Sequence, residues 1–143
     1  MTSLCPDIFY NELDPRLTVM IVYPGSKEYE QVSSQFMKSG HAFLLHEAKV
    51  VVVDGSVISE PWFSKEHLLV IQAHEAGHYQ AGHAVIGNSS KTHIQMEKEA
   101  DFIGYNLLKS GGFEEAACLH FEEYQLRYGL SPDEDTPTGE IIV

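Results

Sequence analysis

Apolar residues along this 143-residue chain keep two rhythms, and the change comes near Pro61. Before it, residues 17–23 read LTVMIVY, dense in β-branched and aromatic side chains, and stop at Pro24-Gly25. That pattern predicts a strand followed by a turn. Ser26 stands where it can cap a helix reaching about Lys38, with Tyr29, Val32 and Phe36 at helical spacing and Gly40 as the stop. Residues 41–45 and 49–54 predict two more strands joined tightly across 46–48. Asp54-Gly55 then marks a turn, after which residues 56–59 are expected to form a short fourth strand. The first fifteen residues carry Pro6, Pro15 and no periodicity, and read as an irregular arm.

Beyond Pro61 the period becomes helical. Ser64 caps a predicted helix over residues 65–81, and Gly87-Asn88-Ser89-Ser90 reads as a loop. A second helix is expected over 93–109, stopped by Gly111-Gly112, and a third over 113–128, stopped by Gly129. Strands first and helices second predict an α+β fold, with helices packed on one small twisted sheet. Residues 1–130 read as one domain, and residues 131–143, with two prolines and four acids, as an acidic C-terminal tail.

Composition changes this picture in one respect. The chain has eight histidines beside nine Lys and Arg, and four of the eight fall between positions 74 and 93. Clustered histidines raise the question of a metal. Residues 74–78 read His-Glu-Ala-Gly-His. On a helix, His74 and His78 project from one face a turn apart, where a single tetrahedral zinc ion takes both imidazoles. Glu75 lies about a quarter-turn around, placed to exchange protons with water at the metal's open side. Small Ala76 and Gly77 allow another backbone to come close. A catalytic zinc takes a third protein ligand, and nineteen residues past His78 comes Glu97, with Asp101 one turn further on. Glu97 is the expected third ligand. Asp101 is expected to accept a hydrogen bond from a ligand histidine and so fix its tautomer. His83 lies five residues past His78 and reads as a polar residue near the helix end; His41, His46 and His67 read as ordinary strand, turn and helix-start residues.

HExxH followed by ExxxD resembles the gluzincin metallopeptidases. Within them, His-Glu-Ala-Gly-His with His83 five residues on and then Glu-x-Glu-Ala-Asp is similar to the HtpX-like family, over residues 49–108. The resemblance implies a zincin-like domain: a twisted, mainly antiparallel sheet whose edge strand binds substrate in extended form over the active-site helix, with a glutamate helix following. It also implies His74, His78 and Glu97 as zinc ligands, Glu75 as general base and Asp101 behind them. HtpX-like enzymes usually carry membrane helices, so the chain looks more like their stripped-down relatives, the minigluzincins. The family's downstream His-Pro-x-x-x-x-Arg element is not matched: His120 and Arg127 are seven apart with no proline after the histidine. The group that stabilises the oxyanion is therefore unassigned, with Tyr105, Tyr124, Tyr128, His120 and Arg127 all downstream of the ligands.

The expected function is zinc-dependent endopeptidase activity, with the peptide extended along an edge strand within residues 53–59. Two alternatives stand beside it: a regulatory protease like the ImmA/IrrE group, and a non-catalytic zinc-binding protein whose fourth ligand closes the site. A formal charge of −12 argues against nucleic acid and anionic lipid as partners and leaves a peptide or protein substrate. Unbroken apolar runs such as residues 50–53 and 68–71 are far too short to span a bilayer, so no membrane association is expected. Cys5 and Cys118 make no disulfide framework, and no basic region followed by an apolar stretch opens the chain. Both observations make a cytoplasmic location the expectation.

Overall fold

The computed structural model describes residues 5–83 and 92–129. These form four strands and five helices in the order β1 (Asp7–Tyr10), β2 (Thr18–Val22), α1 (Lys27–Ser39), β3 (Ala42–Leu45), β4 (Val50–Asp54), α2 (Gly55–Ile58), α3 (Lys65–Ala81), α4 (His93–Ser110) and α5 (Glu114–Tyr128). The class is α+β. The sheet runs β1-β2-β4-β3 and is mixed: β1–β2 and β3–β4 are antiparallel, and β2–β4 is parallel. The expected loop at 87–90 and the tail at 131–143 lie outside the described residues.

The two-residue period of β4 builds both faces of the sheet. Val51 and Val53 point into a core shared with Leu17, Val19, Ile21 and Ala76 of α3. Val52 points the other way, to Val22, Phe36 and Phe43, where α1 packs with Tyr29 and Val32. Buried on both faces, β4 is an unbroken run of valines, as an interior strand of a covered sheet should be. A third core of Ala73, Tyr105, Leu108, Ala116 and Ala117 joins α3 to α4 and α5. The layers are therefore α1, the sheet, and a layer of α3, α4 and α5.

Two sequence expectations are corrected here. Residues 56–59 do not form a strand. The Asp54 carboxylate accepts from the Ser56 amide at 2.9 Å and the Ser56 hydroxyl at 2.7 Å, which caps a single helical turn, α2. Gly55 opens that turn because a Cβ would meet the Val22 carbonyl oxygen at 2.6 Å. Residues 5–15, the described part of the expected N-terminal arm, are likewise not irregular throughout. Residues 7–10 pair with β2, and the loop after them is bound to the back of α3. Asn11 Nδ2 donates to the Gln72 carbonyl at 3.1 Å, and the Glu12 amide donates to the side-chain oxygen of Gln72, a fully buried residue, at 2.9 Å. β1 escapes sequence detection because its side chains are mostly exposed, Ile8 by 64% and Tyr10 by 75%. Main-chain pairing and the loop anchor hold it, and neither leaves an apolar alternation to read.

Candidate metal centre

The site is built on two helices with well-defined ends. Ser64 and His67 form a reciprocal capping box at the start of α3, and Thr92 and Gln95 form another at the start of α4. α3 ends at Gly82, whose φ of 70° is left-handed. The two helices approach closely because glycine stands at both contact points. A Cβ on Gly77 would overlap the Ala100 carbonyl, and one on Gly104 would lie 2.8 Å from the Ala73 carbonyl oxygen. That approach carries His74 and His78 of α3 to Glu97 and Asp101 of α4.

Nε2 of His74 and Nε2 of His78 lie 3.1 Å apart. Glu97 reaches both, with Oε1 3.4 Å from His74 Nε2 and Oε2 2.5 Å from His78 Nε2. One donor atom from each of the three falls within 4.8 Å of the others. Ligands about 2.05 Å from one tetrahedral ion stand about 3.3 Å apart, so most of these spacings already suit a zinc-sized ion. Two imidazoles and a carboxylate are also a donor set that zinc favours.

The far sides of the rings are engaged too. His74 Nδ1 lies 2.7 Å from Asp101 Oδ1. An ionised carboxylate only accepts, so the proton sits on Nδ1 and leaves Nε2 to face Glu97 and His78. Asp101 is buried and held in turn by Arg127 at 3.2 Å and the Tyr128 hydroxyl at 3.1 Å, both on Oδ2. Burial alone would raise the Asp101 pKa, but His74, His120 and Arg127 hold it below its ordinary 3.8. Burial disfavours a charged His74, yet Asp101 and Glu97 outweigh it and lift its pKa well above 6.5. Burial opposes ionisation of Glu97, and hydrogen bonding to the two histidines pulls its pKa well below 4.5. In chemical terms the cluster draws positive charge to its centre, which is what a cation site does.

Glu75 is buried beside the cluster and lines the clefts on both sides of it. Burial raises its pKa above 4.5, against the opposing pull of His74 and His78. One cleft, of about 610 Å³, runs past Gly40, His41 and Ala42 toward α5; the other, of about 620 Å³, runs past residues 42–45 toward α1. Both contain His74, Glu75 and Glu97, so the cluster sits at the middle of a groove that follows β3. This corrects the strand expected to flank the site. β4 is interior, paired on both sides, and residues 55–58 are helical; β3 is the edge strand at the groove.

Of the downstream candidates, Arg127 and Tyr128 are engaged by Asp101, Tyr124 lines the first cleft, and Tyr105 packs in the core between α4 and α5. His120 is buried with neither ring nitrogen hydrogen-bonded, its Nε2 3.6 Å from Asp101 Oδ1, and burial drives its pKa down to about 4. His83, read from sequence as a helix-end residue, has its Nδ1 2.8 Å from Nδ1 of His78 and its Nε2 2.8 Å from Glu99 Oε1. No pattern of spacing within a helix points to that pair, because His83 lies beyond the helix end. No helix among the described residues is long and apolar enough to cross a membrane. No family model matches the sequence, and no curated protein and no solved structure matches the chain.

Proposed function

We propose that this chain is a zinc-dependent endopeptidase, with His74, His78 and Glu97 as the metal ligands. The observation that carries the reading is the convergence of those three side chains beside buried Glu75, in a groove that follows an edge strand. Zinc bound there supplies a Lewis acid that polarises the scissile carbonyl and acidifies the attacking water. Glu75 takes the proton from that water and delivers it to the leaving amine, which balances the hydrolysis. A carboxylate whose pKa burial has raised is better matched to both halves of that transfer than an exposed one. Outward-facing main-chain groups of β3 hold the peptide extended by strand pairing.

The non-catalytic reading needs a fourth protein ligand. Among the described residues three donors converge, and His83 faces Nδ1 of His78, away from the Nε2 side. The deciding experiment uses metal-loaded wild type and Glu75→Gln on an unfolded protein substrate, with and without chelator, alongside elemental analysis. Glu75→Gln should keep one zinc per chain and lose about 10²- to 10⁴-fold in rate, the usual cost of a general base. A variant that loses zinc would make Glu75 a ligand. Zinc-loaded wild type that cleaves nothing across a broad peptide library would leave the non-catalytic reading.

A further inference from the structure

We propose that His83 and Glu99 form a positioning arm for His78, in which His78 donates from Nδ1 to His83 and His83 donates from Nε2 to Glu99. The inference rests on the reading of His78 as a metal ligand and deepens it.

The turn that ends α3 delivers His83 to that place. Gly82 adopts the left-handed conformation; its amide donates to the Tyr79 carbonyl at 3.1 Å, and the His83 amide donates to the His78 carbonyl at 3.2 Å. This pair of bonds is a Schellman turn, which folds the residue after the glycine back over the residue five before it. His83 is therefore tied to His78 twice, through main chain and through side chain, and the two rings stand 5.1 Å apart in an edge contact. The His83 side chain is 8% exposed and that of Glu99 14%.

The protons fix the direction of the chain. Glu99 accepts, so His83 Nε2 carries its proton and its Nδ1 is the acceptor. His78 Nδ1 must then be the donor, which turns the other ring nitrogen, Nε2, toward Glu97 and His74 as the atom that would bind a metal. With His83 neutral and Glu99 ionised, any other distribution sets two hydrogens or two lone pairs against each other across 2.8 Å. The arm thus imposes on His78 the tautomer that Asp101 imposes on His74. Both ligand histidines are backed by a carboxylate of α4, one directly and one through a second imidazole. A partner behind a metal-binding histidine orients the ring and increases its basicity, and its loss typically costs about 10- to 100-fold in metal affinity.

The test measures zinc affinity by competition with a calibrated chelator, the visible absorption of the cobalt(II)-loaded protein, and the melting temperature of the metal-free protein. Glu99→Gln keeps the shape of the side chain and removes its charge; His83→Phe keeps the ring and removes both bonds. We expect His83→Phe to weaken zinc roughly 10- to 100-fold and Glu99→Gln by less. Both should shift the cobalt spectrum, and Glu99→Gln should leave the metal-free melting temperature close to wild type. If His83→Phe fails to fold, Glu99→Gln alone carries the test. Wild-type zinc affinity and cobalt spectrum in Glu99→Gln would overturn the arm and leave the pair as a seal on the helix end. His78→Ala separates the two levels. If it binds zinc as tightly as wild type, the ligand reading falls as well; if it loses zinc while the His83 and Glu99 variants do not, only the arm falls.

Discussion

Asp101 is the residue on which the most groups of the site converge: His74 on one oxygen, Arg127 and Tyr128 on the other, and His120 close by. Asp101→Asn keeps the volume but exchanges a fixed acceptor for an amide that can present either end. Zinc affinity measured by chelator competition should fall about 10- to 100-fold, and wild-type affinity would reduce Asp101 to a packing role. His120 gives a pH prediction of opposite character. Burial depresses its pKa to about 4 from an ordinary 6.5, so between those values the unfolded chain binds a proton that the folded one resists. Its contribution to stability is present above pH 6.5 and is lost as pH falls toward 4, by about 3 kcal/mol at most. Denaturant midpoints taken in chelator from pH 7 to 4 should fall more steeply for wild type than for His120→Phe. Parallel curves would show that His120 takes up its proton as readily in the folded chain as in the unfolded one.

Helix ends and helix contacts decide whether the residues meet. The starts of α1 and α3 and the end of α1 are legible in sequence because single residues make them: Ser26 accepts from the Tyr29 amide, Ser64 from that of His67, and Gly40 closes the first run. His74, His78, Glu97 and Asp101 are legible for a related reason, since spacings of four on a helix put side chains on one face. β1 and α2 are not. The first depends on partners distant in the chain, and the second on a carboxylate that captured the amide two residues on. The role of His83 depends on the geometry of a turn, which spacing does not encode. Gly77 belongs at this scale. Gly77→Ala places a methyl group into the Ala100 carbonyl and must push α3 from α4, at a cost of about 1–3 kcal/mol. Because the ligands come from both helices, zinc affinity should fall although no ligand is changed. Unaltered affinity with lowered stability would show that the helices part without moving the site.

Across the whole molecule, the proposed function assigns recognition to the groove along β3. If a peptide pairs with this edge, its main-chain amides contribute as much as its side chains. Methylating one paired amide of a cleaved peptide should lower kcat/KM about fivefold, the worth of one hydrogen bond. Methylating the neighbouring amide, which points outward, should change little. Equal losses at both positions would place the substrate elsewhere than on β3.

The loop after β1 grips α3 on the side away from the groove. Asn11 holds the Gln72 carbonyl, Gln72 holds Glu12, and Asp14 accepts from Gln80 at 3.1 Å and from Arg16. The helix carrying the histidines is thus fastened by a segment made some sixty residues earlier in the chain. During synthesis, the hairpin that supplies this grip is complete long before the helix it grips, and must wait for it. The candidate ligands meet through the α3–α4 contact, nineteen residues apart from His78 to Glu97, while the support behind α3 spans the longer interval. Contacts of long sequence separation cost more loop-closure entropy than local ones, so the α3–α4 pair that carries the candidate ligands closes at a lower entropic cost than its backing by the N-terminal loop.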